Sequence, residues 1–225
     1  MNDGQTHWRI IWEARGVFAA GFANTVMLAV TACAIAFIVG CAMLFLLEGR
    51  DNAWRRLLRS GINGLRMMPF LIFVYLLYYG LPTLGLRLRA WDAGLAGLAI
   101  YHGAYFAEIL RGARLVMPPG SLEAAYAHGY RRGKAFLRIM LPQLTLSTRG
   151  VLGNQLILCL KDTAFLSIIT VPELTSAANA VQARYFIPVE AFIVAVALYW
   201  LLAIGIEALV RAVRRLGARR GFEHG

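Results

Sequence analysis

Five long apolar segments, separated by polar or charged stretches, dominate the pattern of hydrophobic positions along the chain. A transmembrane helix needs about 20 mostly apolar residues to cross a hydrocarbon core of about 30 Å. The segments have about this length or more, and they occupy approximately residues 17–47, 62–79, 93–110, 151–171 and 189–210. The pattern therefore predicts an all-α integral membrane protein with five transmembrane helices in a single domain that covers residues 1–225.

Local features refine this prediction for three of the segments. Pro69 lies inside the second segment, and a proline within a helix removes a hydrogen bond, so we expect a kink there. The first segment contains neither proline nor charge, which favours one long helix over a hairpin. Small residues recur at every fourth position of the first and third segments, so we expect close backbone packing there: Ala32, Ala36 and Gly40, and Ala99, Gly103 and Ala107.

The composition agrees with a membrane protein. Hydrophobic residues make up 59% of the chain and charged residues only 16%, which is more apolar than an average soluble domain. A net charge of +11 would suggest nucleic-acid binding in a soluble protein, but the basic residues cluster between the apolar segments. One side of the predicted bundle holds 17 of the 23 lysines and arginines. The positive-inside rule then predicts an external N-terminus, a cytoplasmic C-terminus and contact with membrane lipid, not nucleic acid.

The polar segment at residues 118–143 interrupts this apolar pattern and cannot cross a membrane. Its opening sequence, Pro-Pro-Gly-Ser, should end the third helix. We expect a short helix at 122–128, a sharp turn at Gly129 and a second short helix at 131–140, after which Pro142 begins the next helix. Two short crossed helices on the cytoplasmic side would form a rigid knob for docking.

The same segment resembles the EAA motif of ABC importer permeases, because EAAYAHG is followed by nine residues and then by IMLP. The positions that match are Glu123, Ala124, Ala125, Gly129, Ile139 and Pro142. The resemblance implies that these residues couple the chain to a cytoplasmic ATPase. It also implies the five-helix bundle of a type I ABC importer permease.

Further stretches are similar to the polar amino acid uptake subfamily of these permeases: AEILRG (107–112), LPQ (141–143), GNQLILCLKDTAFLSII (153–169) and PELT (172–175). The chain departs from that subfamily where Arg66 is followed by two methionines in place of Gly-Thr before the proline. It also departs where His128, Gly129, Tyr130 and Arg131 replace Leu-Gly-Leu-Ser. The first departure affects the assignment of the cargo, and the second affects which ATPase is expected to dock.

The resemblance implies a subunit that moves polar amino acids of the histidine, glutamine, arginine or glutamate type across the inner membrane by alternating access. Its implied partners are an ABC ATPase dimer, a second copy of the permease or a paralogue, and an extracytoplasmic solute-binding protein. We expect no cofactor in this chain and ATP on the partner ATPase. GYRRGK has three residues between its glycines and Ala135 after the lysine, so it does not fit a Walker A loop.

Two alternatives remain open for the function. The cargo of an ABC permease can be another small solute, such as an opine, methionine or a quaternary amine. An intramembrane enzyme that uses histidine or aspartate is the other alternative, but the sequence has no HExxH motif, suitably spaced aspartate pair or Ser/Lys dyad. We therefore assign no catalytic residue and no metal ligand.

Charged residues inside the fourth segment are the candidates for a substrate pathway. Lys161 and Asp162 lie near its middle, where one charge costs about 2.5–3.5 kcal/mol on insertion scales. Adjacent residues on a helix do not face each other, so each needs its own compensation. We expect Asp162 to face the pathway and Lys161 to pair with another helix or with the partner subunit. A structural ion network is the alternative, and Asn154 adds polarity to the same helix.

Three further polar features have structural alternatives. Glu173, in PELT, either helps a delivered substrate reach the pathway or is a solvated loop carboxylate. His102 is expected to make an interhelical hydrogen bond. Glu108 and Arg111 are three residues apart, which suits an ion pair on one helix.

Overall fold

The computed structural model describes the backbone of residues 3–218 and the side chains of residues 6–212. All of the regular structure in this part of the chain is helical. The α-helices are α1 (Asp3–Glu13), α2 (Arg15–Leu47), α3 (Ala53–Met67), α4 (Phe70–Tyr75), α5 (Ala90–Val116), α6 (Gly120–Ala127), α7 (Arg132–Ala135), α8 (Leu141–Ser147), α9 (Arg149–Asp162), α10 (Leu174–Tyr185) and α11 (Pro188–Ala218). The basic residues Arg214, Arg215, Arg219 and Arg220, which contribute to the predicted topology, lie outside the described side chains.

Within the described residues, four helical stretches are long and apolar enough to cross a membrane. They are Arg15–Leu47, Ala90–Val116, Arg149–Ile169 and Pro188–Ala212, and the bent pair Ala53–Met67 and Phe70–Leu84 gives a fifth if it is one span. The stretch Ala90–Val116 extends beyond the predicted limits of 93–110 at both ends. The stretch Arg149–Ile169 is α-helical only to Asp162 and continues as a 3₁₀-helix over Thr163–Ile169.

The second predicted segment differs most from the structure. A break at Met68 and Pro69 replaces the expected kink, because Met68 has an extended backbone with φ −93° and ψ 149°. A residue before proline is driven out of the helical region by the proline ring, so the helix ends there. Helix α3 also fills most of the expected loop at 48–60. Its start is fixed by Asn52, whose side-chain oxygen accepts a hydrogen bond of 2.9 Å from the N–H of Arg55.

The described chain divides into two compact units. The first comprises residues 3–34, 69–98 and 157–206. Its core includes Phe18, Leu174, Ala178, Val181 and Ile187, so helix α10 packs through one apolar face. A Cβ atom on Gly21 would lie 2.9 Å from the Cβ of Ala177, which shows how closely α2 and α10 approach.

The second unit comprises residues 35–68, 99–156 and 207–218. A Cβ atom added to Gly40 would lie 2.6 Å from the Cβ of Phe106, and one added to Gly103 would lie 3.3 Å from the carbonyl oxygen of Ala36. These distances confirm the close packing expected from the small residues of α2 and α5 in this unit. Ile62 of α3 is buried in a cluster with Ala104 and Ala107 of α5.

The Gly40 contact predicts that Gly40→Ala destabilises the chain, although alanine favours a helix by about 1 kcal/mol over glycine. The added methyl group meets backbone atoms of α5 that cannot move aside, and overpacking of this kind costs roughly 1–3 kcal/mol. Gly112→Ala, in the same pair of helices, is the control because a Cβ atom there has no neighbour within 4 Å. The thermal midpoint of the purified chain in detergent should fall for Gly40→Ala only. An equal rise for both variants would contradict the close contact.

Candidate functional site: a coupling segment and a polar helix face

Helix α6 presents two EAA residues to solvent and buries a third. Pro119 stands at its N-cap, and Glu123 lies in the first turn, where a carboxylate interacts favourably with the helix dipole. Glu123 and Ala124 are exposed. Leu122 and Ala125 are buried, with only 5% and 7% of their surface exposed. One face of α6 is thus fixed to the protein and the opposite face is available for docking.

The turn after α6 depends on the conformation of Gly129. Its φ of +74° lies in the left-handed region that favours glycine. The N–H of Gly129 donates to the carbonyl of Tyr126 at 2.9 Å, and the N–H of Tyr130 donates to the carbonyl of Ala125 at 3.0 Å. These two bonds form a Schellman motif, which closes the carbonyl end of α6. Gly129 therefore has a structural role in the segment.

The second half of the segment runs without a break into the next helix, since helical structure is continuous from Arg132 to Ser147 and joins the predicted short helix at 131–140 to the helix that was expected to begin at Pro142. Helices α7 and α8 are joined by a π-helical turn over Phe136–Met140, in which the N–H of Leu141 donates to the carbonyl of Phe136. Pro142 has no N–H to continue an α-helical ladder, and the π turn shifts the hydrogen-bond register directly before it. Pro142 itself is exposed.

Both halves of the segment rest on one apolar cluster in the second unit. Its buried members are Leu44, Leu110, Leu122, Ala125, Ala135, Phe136, Met140 and Leu144, and Ile139 packs against them from a half-buried position. Ala125 and Ile139 of the EAA motif therefore support the segment. Glu123, Ala124 and Pro142 form its exposed part.

Arg132 joins the segment to the end of helix α2. Its Nη2 atom donates to the carbonyl oxygens of Phe45, at 2.6 Å, and of Glu48, at 2.7 Å. Its guanidinium also lies over the Phe45 ring at 4.6 Å. The last carbonyls of a helix have no partner inside it, so an arginine at this position satisfies them. The Glu48 carboxylate in turn pairs with Arg114 of α5 at 3.2 Å.

No pattern in the sequence distinguishes Arg132, because three other basic residues surround it in the same stretch: Arg131, Lys134 and Arg138. Only its position opposite the end of α2 distinguishes it, and that position is a property of the fold.

Two of the predicted pathway residues share a face of helix α9. Asn154 and Lys161 are exposed and seven residues apart, which is about two helical turns. Asp162, which we expected to face the pathway, is half-buried. Apolar side chains continue this exposed face in both directions along the helix: Val151, Leu158, Phe165 and Ile168. Lys161 is thus the charged group that this face presents.

Glu173 is neither solvated nor part of that face. Its side chain is fully buried and caps α10 by accepting hydrogen bonds of 2.7 Å from the N–H groups of Thr175 and Ser176. The hydroxyl of Tyr199 donates to the same carboxylate at 2.5 Å. Burial raises the pKa of Glu173 above its ordinary value, and the hydrogen bonds from Tyr199 and the two backbone groups offset part of that rise. Of the two alternatives for Glu173, the solvated loop carboxylate is wrong, because residues 174–185 form a helix that Glu173 caps from a buried position.

An open groove of about 750 Å³ in the first unit lies beside this cap. Its polar lining includes Asn24, Ser176 and Asn179. Asn24 donates to the carbonyl of Pro172 at 2.7 Å, and Thr25 accepts from the N–H of Leu174 at 3.0 Å, so α2 holds the loop before α10 in place. Glu173 orders the helix that forms this groove.

Two structural predictions about polar side chains are confirmed. His102 is buried and lies 2.7 Å from Gln155, so the interhelical hydrogen bond links α5 to α9. Glu108 accepts two hydrogen bonds from Arg111, at 2.8 and 2.6 Å. Arg66 also approaches Glu108 to 3.8 Å.

Residues 38–216, which contain the EAA segment at 118–143 and most of the candidate spans, match the family described as the binding-protein-dependent transport system inner membrane component. The chain belongs to this family. It is an all-α permease of the type I ABC importers, and the members of this family are components of the inner membrane.

Individual relatives agree with this assignment. The permease is 28% identical to the probable glutamine ABC transporter permease protein GlnM of Bacillus subtilis (strain 168), over 92% of this chain and 97% of that protein. It is 33% identical to the octopine transport system permease protein OccM of Rhizobium meliloti, over 84% and 81% of the two chains. It superimposes on the crystal structure of an amino acid ABC transporter with histidines with a TM-score of 0.80 and 28% identity, over 91% and 96% of the chains.

The raised pKa of Glu173 predicts a pH-dependent stability of the permease. The protonated carboxyl contributes its full stability below the ordinary carboxyl pKa, and this contribution is lost as the pH rises through the raised value. Glu173→Gln does not titrate. The thermal midpoint of the wild type minus that of the variant should therefore shrink between about pH 4 and pH 8. A difference that grows with pH would show that hydrogen bonding to the carboxylate outweighs its burial.

Proposed function

We propose that this permease imports polar amino acids by alternating access, driven by a separate ABC ATPase that docks on the EAA segment at residues 118–143, which is therefore the coupling segment. The observation that carries the proposal is the arrangement of that segment. Glu123, Ala124 and Pro142 are exposed, whereas Leu122 and Ala125 attach the same short helices to a buried apolar cluster. A rigid, exposed pair of helices suits the transmission of movement from a partner.

The contacts of Arg132 support a route for this transmission. Arg132 hydrogen bonds to the last carbonyl groups of α2, and Phe136 packs edge-on against Phe45 with ring centroids 5.0 Å apart. A displacement of the segment by the ATPase is therefore passed to helix α2. ATP hydrolysis itself takes place on the partner, so this chain is a transporter subunit and has no catalytic residues.

The proposed topology follows the distribution of basic residues. The external side holds only Arg9, Arg15, Arg87, Arg89 and Arg184, which places the N-terminus outside and the coupling segment in the cytoplasm. The chain forms a single transmembrane domain in this proposal. A second permease copy or a paralogue completes the transporter, together with two ATPases and an extracytoplasmic solute-binding protein.

The chemistry of the cargo follows from helix α9 and from the relatives. The exposed Lys161 offers an ammonium group for a carboxylate, and Asn154 on the same face offers an amide that donates and accepts. Asp162, at the edge of this face, suits an amino group. An α-amino acid carries both of these charged groups, and the GlnM protein and the amino acid transporter structure are relatives that handle this class.

A second cargo class has its own support. The octopine permease is 33% identical to this chain, and opines combine carboxylate and amine groups in the same molecule. Lys161 and Asp162 suit that chemistry as well. The alternative therefore changes the size of the cargo while the coupling segment keeps its role.

The test is uptake of labelled amino acids and of octopine by cells that lack this chain and are complemented with wild type, Glu123→Lys or Lys161→Gln at equal membrane levels. Wild type should restore uptake of one class. Glu123→Lys should abolish it for every cargo because it reverses the charge on the docking surface. Lys161→Gln should lower it about tenfold, the effect of one charged hydrogen bond, with ATPase assembly unchanged.

Lys161→Arg is the matched control, because it keeps the positive charge and should retain most of the uptake. Full uptake by Glu123→Lys would contradict the coupling role. Full uptake by Lys161→Gln would contradict the assignment of Lys161 to the substrate pathway. Restoration of octopine uptake alone would change the cargo to opines.

A further inference from the structure

Helix α1 is attached to the first unit through one of its faces. Ile11 and Ala14 are buried in the same apolar cluster as Ala191 of helix α11. The Nδ1 atom of His7 lies 2.9 Å from a carboxylate oxygen of Glu190, in the first turn of that helix. These contacts hold α1 beside the beginning of α11 and fix its rotation about its own axis.

The tryptophans of α1 and its charged residues lie on different sides of this packed face. Successive residues are about 100° apart around an α-helix. Trp8 and Trp12 therefore lie about 110° from the packed face on one side, and they are 48% and 69% exposed. Arg9 and Glu13 lie about 150° from it on the other side, where they are exposed and pair at 3.3 Å. These two sides are the tryptophan flank and the charged flank of α1.

The depth of α1 in the membrane follows from contacts elsewhere in the first unit. Thr25 of α2 accepts a hydrogen bond from the N–H of Leu174, and the adjacent Glu173 accepts one from the hydroxyl of Tyr199 on α11. Thr25 and Tyr199 therefore lie at roughly the same depth. The first and fifth of five spans cross in the same direction. Glu190 is nine residues before Tyr199, about 14 Å along α11, and residue 16 of α2 is equally far before Thr25.

Helix α1 turns away from the line of α2 at this depth. A straight continuation of α2 would carry His7 about 14 Å beyond Glu190, yet the two side chains are in contact. The bend lies at Ala14, whose N–H donates to the carbonyl of Ile10 at 2.9 Å and whose carbonyl accepts from the N–H of Phe18 at 3.4 Å. One helix ends there and the next begins. Helix α1 thus runs across the ends of α2 and α11.

The exposed side chains of α11 show that this depth is the edge of the hydrocarbon. Val189, Ile193 and Val196 are exposed and form one apolar stripe along the helix. The stripe begins in the first turn, where the candidate span Pro188–Ala212 also begins. Glu190, and α1 with it, therefore lies at the boundary between hydrocarbon and headgroups. Membrane proteins are enriched in tryptophan at this boundary.

The two flanks of a helix at this boundary face different solvents. Since the packed face of α1 is turned to the protein, one flank faces the hydrocarbon and the other faces water. Arg9 and Glu13 carry charges that are unfavourable in hydrocarbon, whereas a tryptophan ring is apolar and carries one N–H group that suits the headgroup region. The tryptophan flank is therefore the one that faces lipid.

We propose that α1 lies in the headgroup region of the bilayer, with Trp8 and Trp12 inserted among the upper acyl chains and Arg9 and Glu13 in water. Arg15 closes the carbonyl end of α1 at this interface, since it donates to the carbonyl of Trp12 at 3.0 Å and its guanidinium lies over the Trp12 ring at 5.2 Å. The charges of the Arg9–Glu13 pair cancel, so the tryptophans hold α1 on a neutral phospholipid surface. In the proposed topology this surface is the outer leaflet, and only the choice of leaflet rests on that topology.

The test is tryptophan fluorescence of the full chain in phosphatidylcholine nanodiscs, where both membrane surfaces are open to solutes. Trp54→Phe, Trp91→Phe and Trp200→Phe together leave Trp8 and Trp12 as the only tryptophans. Lipid brominated near the top of its acyl chains should quench most of their emission, and iodide in the buffer should quench little of it. This result does not depend on which leaflet holds α1 or on whether the permease carries amino acids.

The matched control moves one tryptophan to the charged flank. With Trp8→Phe added to the same background, one chain keeps Trp12 alone, and the control carries Trp12→Phe with Glu13→Trp. Iodide should quench the control strongly, and brominated lipid should quench it weakly.

Equal iodide quenching of the two chains would overturn the proposal and leave the tryptophan flank in water, open to a soluble partner. Protection of Trp12 from both quenchers would also overturn it, because a protein surface would then cover this flank. If the background with three substitutions fails to fold, the wild type is compared with Trp8→Phe combined with Trp12→Phe. The emission lost to brominated lipid should be smaller in that variant, and an unchanged loss would contradict the proposal.

Discussion

The carbonyl groups at the end of helix α2 have no partner inside that helix, and Arg132 supplies one from a distant part of the sequence. Two hydrogen bonds and the contact with the Phe45 ring fix the coupling segment to α2, while Glu48 and Arg114 extend the connection to α5. A polar group left unpaired at a helix end is unfavourable, so the segment and the helix end stabilise each other. The exposed surface of α6 depends on this attachment.

Polar groups in the rest of the molecule follow the same principle. Glu173 is buried because it caps α10, and Thr25 of α2 accepts a hydrogen bond from the first residue of that helix. His102 is buried with Gln155 as its neighbour. On helix α9, by contrast, the polar side chains of Asn154 and Lys161 remain exposed, and they need a functional explanation.

The sequence was sufficient for the broad architecture, because long apolar segments and the EAA spacing are local patterns. The short helices α3 and α10 were missed for a physical reason: each buries one narrow apolar face, and neither is long enough to resemble a membrane span. The sequence predicted only a kink at Pro69, whereas the helix breaks at Met68. Pro69 disfavours a helical backbone at Met68, but whether the helix breaks fully depends on which groups surround the backbone atoms that lose their helical hydrogen bonds. There the hydroxyl of Tyr101 donates to the carbonyl of Met68 at 3.0 Å.

The site residues likewise divide into those that a local sequence motif locates and those that only the fold identifies. Glu123, Ala124 and Gly129 could be located from the motif, but their different roles required the burial and the backbone angle of each residue. The roles of Glu173 and Lys161 could not be assigned from the sequence. Both are charged residues in or beside a predicted span, and only the fold determines that the side chain of Glu173 is buried and that of Lys161 is exposed. Arg132 needed the spatial position of the end of α2.

Hydrogen exchange of the backbone amides of residues 120–147 in the purified permease tests the attachment of the coupling segment most directly. The measurement compares Arg132→Gln with Arg131→Gln, a neighbouring substitution that removes the same charge. Loss of the two charged hydrogen bonds of Arg132 should accelerate exchange in α7 and the following π turn by at least about tenfold in Arg132→Gln, and leave Arg131→Gln like the wild type. Equal exchange in all three proteins would contradict the claim that Arg132 holds this segment to helix α2.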